Sequence, residues 1–148
     1  KLHWRWGAQA DVVVRMPTGA GVGAGPYHSQ STEAWFFHVP GLKIAYPSNP
    51  ADAKGLMTMA FHDPNPVLFF EHKFLYRSLT GPVPETEYVV PFGKAQTVRV
   101  GKQATIVTYG LGVHWATELA DAHPEWELEV IDLRTLCPWD EAAVEKVV

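Results

Sequence analysis

The sequence predicts an α/β fold organised around a parallel sheet and arranged as two successive units. Three observations carry this reading. Short, nearly uninterrupted apolar runs at residues 12–14, 42–46 and 67–70 have the character of strands covered on both faces. A well-marked amphipathic helix separates the last two, as a parallel sheet requires and an antiparallel sandwich does not. Beyond a stretch at residues 78–91 broken by Gly81, Pro82, Pro84 and Pro91, strand-like and helix-like segments begin again.

The first unit opens on Asp11-Val12-Val13-Val14-Arg15, a β-branched run bounded by Pro17 and Gly19 that reads as a buried strand. Gly19, Gly21, Gly23 and Gly25 follow at alternate positions. Such density serves backbone shapes closed to other residues, or close approach to a ligand. Ser29 or Ser31 is placed to cap a short helix reaching about His38, with Glu33 in its first turn, where the helix dipole favours an acid. Pro40-Gly41 stops it, and residues 42–46 form the second strand. Asn49 as N-cap, Pro50 in the first position and Asp52 in the first turn mark the next helix. Its predicted buried face is Ala53, Leu56, Met57, Ala60 and Phe61. Asp63-Pro64-Asn65-Pro66 ends it ahead of the third strand. In the second unit the predicted elements are strands at 95–100 and 104–109, turned at Gly101-Lys102, a helix at 113–122, a strand at 128–133 and a helix from Asp140.

With 148 residues and 47% hydrophobic content, the chain can bury a substantial core. A formal charge of −4, with no run of Lys and Arg, argues against nucleic acid or an anionic membrane as the main partner. The single cysteine, Cys137, excludes an intrachain disulfide framework and a cysteine zinc cluster. No apolar stretch is long enough to span a bilayer and no leader pattern opens the chain. The start at Lys1 and the helix-like run from Glu141 to Val148, which lacks a stop signal, predict a piece of a longer subunit.

Among the chemical candidates, His28 leads. Imidazole titrates near neutrality unperturbed, and a loop between rigid elements is where such groups act. The glycine segment fails the dinucleotide fingerprint twice, because Ala24 and Pro26 stand where glycine is needed, and no Lys-Ser or Lys-Thr follows for a P-loop. Ser29 lacks the nucleophile elbow of a hydrolase. His3, His38, His62, His72, His114 and His123 show no metal-ligand spacing and read as structural. The helix end at Ala60 to Pro66 presents unpaired carbonyls, which either stay solvated or ligate a hard cation.

Several motifs together resemble a known family. They are Val13-Val14-Arg15-x-Pro17, the glycine loop into His28-Ser29-Gln30-Ser31, Gly41-Leu42-Lys43 and Asp52-Ala53-Lys54-Gly55-Leu56. Asp63-x-Asn65-Pro66-Val67, Phe70-Glu71-x-Lys73-x-Leu75-Tyr76-Arg77 and Asp132-Leu133-Arg134-Thr135-Leu136-x-Pro138-Trp139-Asp140 complete the set. The chain resembles the beta subunit, or the beta half of a fused chain, of the thiamine-diphosphate-dependent decarboxylating component of 2-oxo acid dehydrogenase complexes.

That resemblance implies a transketolase-like arrangement: the later half of a pyrimidine-binding domain at residues 1–77, a linker at 78–91 and the start of a transketolase C-terminal domain at 92–148. It implies thiamine diphosphate between alpha-type and beta-type domains, with the diphosphate and its magnesium held by the alpha side. His28 matches the family's active-site histidine, linked to acyl transfer onto lipoyl. A structural potassium site maps onto Val12, Val13, Ala60, Asp63 and Asn65. The glutamate that activates the cofactor's aminopyrimidine matches no residue here, so the chain alone is expected to be inactive. The implied partners are an alpha subunit, a lipoyl-bearing acyltransferase core and a second beta chain; the implied compartment is the cytoplasm in a bacterium or the mitochondrial matrix in a eukaryote. Ser29-Gln30-Ser31-x-Glu33-Ala34 and Phe69-Phe70-Glu71-x-Lys73 favour a branched-chain 2-oxo acid as substrate. Pyruvate is the alternative, and a non-catalytic assembly module is the reading from a different class.

Overall fold

The structure, a computed structural model, describes residues 2–147; Lys1 and Val148, the two ends of the sequence reading, lie outside the described residues. A short helix α1 (Leu2–Trp6) precedes strand β1 (Val13–Thr18). Helix α2 (Glu33–Phe37), strand β2 (Lys43–Ala45), helix α3 (Pro50–His62), strand β3 (Val67–His72) and helix α4 (Leu75–Ser78) follow. The second unit contains β4 (Gln96–Arg99), β5 (Ala104–Thr108), α5 (Leu111–Ala122), β6 (Leu128–Asp132), β7 (Thr135–Cys137) and α6 (Glu141–Glu145).

The first sheet has the order β1-β3-β2-β7, with β1, β3 and β2 parallel. Its apolar runs are continuous because both faces are covered. Ile44, Tyr46, Leu68, Phe70 and Leu136 pack on one face, while Ala45, Leu56, Ala60, Val67 and Phe69 pack on the other. The first run departs from expectation. β1 is an edge strand among the described residues, and Val12 and Val14 are 52% and 41% exposed, so it is not a buried strand. The edge position also accommodates Pro17, which has no N–H for a ladder.

α3 begins as the sequence predicts, with Asn49 Oδ1 accepting from the Asp52 backbone N–H at 2.8 Å and Pro50 in the first turn. Its buried face differs. Asp52, Gly55, Leu56 and Ala60 are inside, Ala53 and Met57 are half-buried, and Phe61 is 72% exposed. Two contacts turn the helix this way. Arg134 draws Asp52 inward through Nε at 3.0 Å. The chain at residues 88–90 presses against Gly55, where a Cβ would stand 2.5 Å from Val90 Cγ2.

The second sheet has the order β4-β6-β5. Residues 101–102 therefore do not turn a hairpin. β6 inserts between the two strands, antiparallel to β4 and parallel to β5. β6 takes the centre because Leu128, Val130 and Ile131 are all buried and need cover on each side. After two residues the chain leaves this sheet and β7 adds antiparallel to β2, pairing Ile44 with Cys137 and Ala45 with Thr135.

The Asp132-Leu133-Arg134-Thr135 motif holds this junction. The Asp132 carboxylate accepts from Ser48 Oγ and from Arg134 N, while the Arg134 guanidinium reaches Asp52. Thr135 Oγ1 accepts from Gly93 N at 2.9 Å. Asp140 accepts from Ala95 N at 3.0 Å and caps α6 through Ala143 N at 3.2 Å. Burial pushes the Asp140 carboxyl up, but those two N–H groups outweigh it and hold it below the usual carboxylate range. A depressed native value stabilises the fold above the unfolded value near pH 4, and the contribution is lost as pH falls through the native one. Asp140→Asn is therefore expected to lower stability at neutral pH and to flatten the acid limb of a stability–pH curve in denaturant titrations, so that the two proteins converge as pH falls.

Candidate functional site

Because β1, β2 and β3 run parallel, their carboxyl ends share one edge, at Thr18, Ala45 and His72. Ligands of open α/β sheets bind outside that edge. The glycine segment leaves β1 at this point. Gly19 N and Thr18 Oγ1 both donate to the Gln30 carbonyl at 2.9 Å, pinning the two ends of residues 19–30 together as a compact loop.

The root of the loop is built against His72. Gly19 has φ +83°, and a Cβ there would lie 2.2 Å from His72 Nε2. Phe74 N donates to His72 Nδ1 at 3.3 Å, so the neutral ring directs Nε2–H at Gly19. Burial, assisted by the charge of Lys73, holds the His72 imidazole below its ordinary range, with Glu33 opposing. At the far side of the loop His28 closes a 3-10 turn, Pro26–His28. Its side chain is exposed and forms no hydrogen bond among the described residues; its backbone N–H donates to Gly25 O at 3.3 Å. Neither serine caps α2. Ser29 Oγ is spent on Gly25 O at 2.7 Å, and the N-cap is Thr32, without a side-chain bond.

A buried polar group that the sequence did not reveal lies beside this loop. Glu33 is 8% exposed, Tyr109 OH donates to its Oε1 at 3.3 Å, and Oε2 has no partner among the described residues. Burial and the Glu33 carboxylate push both the Tyr46 and Tyr109 hydroxyls up. Tyr46 stacks on Phe70 and tilts against Tyr109, with ring centroids 5.9 and 5.1 Å apart. Glu33 was legible only as a first-turn acid; its burial depends on Tyr109, which lies 76 positions away.

Across the sheet, Arg15 and Glu71 form a two-pronged ion pair, with both N–H···O distances 2.8 Å. The pair ties β1 to β3 and connects two of the sequence motifs.

The cation candidates gather at the opposite, amino edge of β1 and β3. Val12 O accepts from Val67 N at 2.9 Å, and Val13 packs against the cluster containing Ala60 and Val67. Ala60 O accepts from Asp63 N at 3.3 Å. The Asp63 carboxylate is already committed: Oδ1 accepts from Asn65 N and Nδ2, both at 2.9 Å, and Oδ2 pairs with Lys43 Nζ. Burial pushes Asp63 up, but Lys43 and Asn65 together hold it low. What remains for a hard cation is a backbone set, since a carbonyl with one hydrogen bond retains a second lone pair.

Among the described residues the glycine loop offers a diphosphate with magnesium no charged partner. Residues 19–30 carry no Lys or Arg, Gly21 backs onto the Phe74 ring, and no group of three or more His, Cys, Asp or Glu placed to hold a metal ion exists among the described residues.

The transketolase pyrimidine-binding domain matches residues 2–78, and the transketolase C-terminal domain matches residues 93–148. The chain belongs to the transketolase family. It is 50% identical over 90% of its length to the 2-oxoisovalerate dehydrogenase subunit beta of Bacillus subtilis, covering 41% of that protein. It is 49% identical over 95% of its length to the acetoin:2,6-dichlorophenolindophenol oxidoreductase subunit beta of Cupriavidus necator, covering 42%. Against the pyruvate dehydrogenase beta subunit of Mycoplasma genitalium the figures are 43% identity, 91% and 42%. The chain thus spans about two-fifths of the length of these relatives. A solved split-gene transketolase, described as an inactive beta4 tetramer, shares the fold with a TM-score of 0.74 at 22% identity, over 94% of this chain and 45% of that one. The transketolase-like α/β fold is therefore the one the sequence motifs implied.

Proposed function

We propose that this transketolase-family chain is the beta-side portion of an enzyme that oxidatively decarboxylates a 2-oxo acid and passes the acyl group to lipoyl. The observation that carries the reading is His28, exposed near the Gln30 end of a glycine loop whose two ends are pinned at the carboxyl edge of the parallel sheet. A side chain held there is free of internal partners and can meet a substrate arriving from another subunit.

Thiamine diphosphate, when held by the alpha-type chain with its magnesium, supplies the carbanion chemistry of decarboxylation. This chain's own contribution is at the lipoyl end. Opening the lipoyl disulfide during acyl transfer leaves one sulfur acylated and the other a thiolate, and the His28 imidazolium delivers a proton to that thiolate. The pinned loop limits the positions His28 can take, which lowers the entropy cost of reaching the sulfur. Residues 1–77 and 92–148 serve as the two domains, with 78–91 as the linker. A potassium ion on the backbone carbonyls of Val12, Val13, Ala60, Asp63 and Asn65 stiffens the joint between β1 and the end of α3. Trp35 and Phe37, 71% and 45% exposed, supply apolar surface for pairing with an alpha chain or a second beta chain, the assembly role that would persist even without catalysis.

The preferred substrate is a branched-chain 2-oxo acid, on the strength of the Ser29 to Ala34 and Phe69 to Lys73 segments. With the full-length parent assembled with its alpha half, turnover of 2-oxoisovalerate is expected to exceed that of pyruvate and acetoin by at least about tenfold in kcat/KM, the discrimination a shaped apolar pocket provides. Preference for pyruvate or acetoin would overturn the substrate assignment and leave the fold untouched.

A further inference from the structure

We propose that the pocket between α2 and the second unit binds an organic cation, a guanidinium or primary ammonium group on an apolar stem, with Glu33 as its counter-ion. The pocket has a volume of about 310 Å³ and is lined by Glu33, Phe37, His38, Tyr109, Leu136 and Trp139, among others. It lies apart from His28, whose turn contributes nothing to its wall.

The first argument is an unmet requirement. An ionised carboxylate accepts about four hydrogen bonds. Glu33, 8% exposed, has a single long one from Tyr109, and Oε2 has none among the described residues. A buried charge in that condition is costly unless a partner arrives. No Lys or Arg pairs with it among the described residues. A donor from outside the described residues would meet that requirement.

The second argument is the wall. Phe37, Tyr109 and Trp139 present aromatic rings, and Leu133 and Leu136 add aliphatic surface. Aromatic faces beside one carboxylate are the chemistry that recognises alkylammonium and guanidinium groups, because the ring quadrupole attracts the charge and the stem is buried against carbon. Phe37 and Trp139 remain 45% and 41% exposed, so the mouth is open and apolar. Entry requires Oε2 to turn toward the cavity, and the terminal carboxyl torsion of Glu is broad enough to allow it.

Two sources carry this chemistry: a free amine or guanidine, and an Arg or Lys side chain of a partner subunit. The test is calorimetric titration of the full-length subunit with n-butylguanidinium, using n-butylurea as the neutral isostere. Saturable binding of the cation is expected, with Glu33→Gln weakening it at least tenfold and the urea failing to bind. Trp139→Ala, at a partly exposed position, is expected to weaken binding severalfold while leaving the thermal transition in place, which guards against a misfolded Glu33→Gln. Repeating the titration on the subunit assembled with its alpha partner separates the sources. Loss of binding there assigns the site to a partner side chain, and retained binding assigns it to a free cation. No saturable binding to the unassembled subunit, or equal affinities for the wild type and Glu33→Gln, would overturn the proposal.

Discussion

Replacing His28 with alanine in the assembled full-length enzyme is expected to lower lipoyl-linked turnover by about two to four orders of magnitude, the usual contribution of a positioned proton donor. Thiamine diphosphate affinity and the unfolding transition should stay at wild-type values. The structural reason for that separation is that the His28 side chain is exposed and bonds to nothing among the described residues. Surface changes of this kind lie within about 0.5 kcal/mol in stability. The measurement is paired: steady-state turnover with lipoyl acceptor, and turnover with an artificial electron acceptor that needs no thiolate protonation. A loss confined to the first assay supports the role in acylation. Equal losses in both would place His28 elsewhere in the cycle, and no loss in either would remove it from the reaction.

The second large effect is at the root of the same loop. Gly19→Ala puts a side chain on a backbone at φ +83° and 2.2 Å from His72 Nε2. The left-handed backbone costs about 1–2 kcal/mol for a residue with a Cβ, and the forced contact costs about 1–3 kcal/mol more. Stability of the full-length subunit in urea is therefore expected to drop by about 2–5 kcal/mol. The two contributions can be separated. His72→Ala in the Gly19→Ala background relieves the contact and leaves the backbone strain, so the double variant should be more stable than the sum of the two single losses predicts. Strict additivity would show that the ring contact is not what Gly19 is there to permit. Turnover should follow the same order, because the loop that carries His28 is displaced at its origin.

Local signals were dependable where one residue meets its own neighbours. Asn49 capping α3, Pro50 entering it and Asp63 closing it are interactions within a few positions, and the structure has all of them. The alternating glycines read as serving backbone shapes closed to other residues or close approach to a ligand, and Gly19, Gly21, Gly23 and Gly25 all have positive φ. Burial was less readable. The face of α3 is set by Arg134 and by residues 88–90, and no periodicity count contains that information. The edge position of β1 and the insertion of β6 between β4 and β5 are likewise matters of which strand needs most cover.

For the candidate site the division is similar. By itself the sequence determined that two α/β units follow one another, that a glycine loop presents His28, and that the motifs are those of the transketolase family, because each of these is written in adjacent residues or in motif order. Only the tertiary structure decided that Gln30 pins the loop to Thr18 and Gly19, that Lys43 occupies the Asp63 carboxylate, and that Tyr109 bonds to Glu33. Those are pairings between residues 11 to 76 positions apart. Their energies come from burial and charge neutralisation, which exist only once separate strands and helices have been packed together.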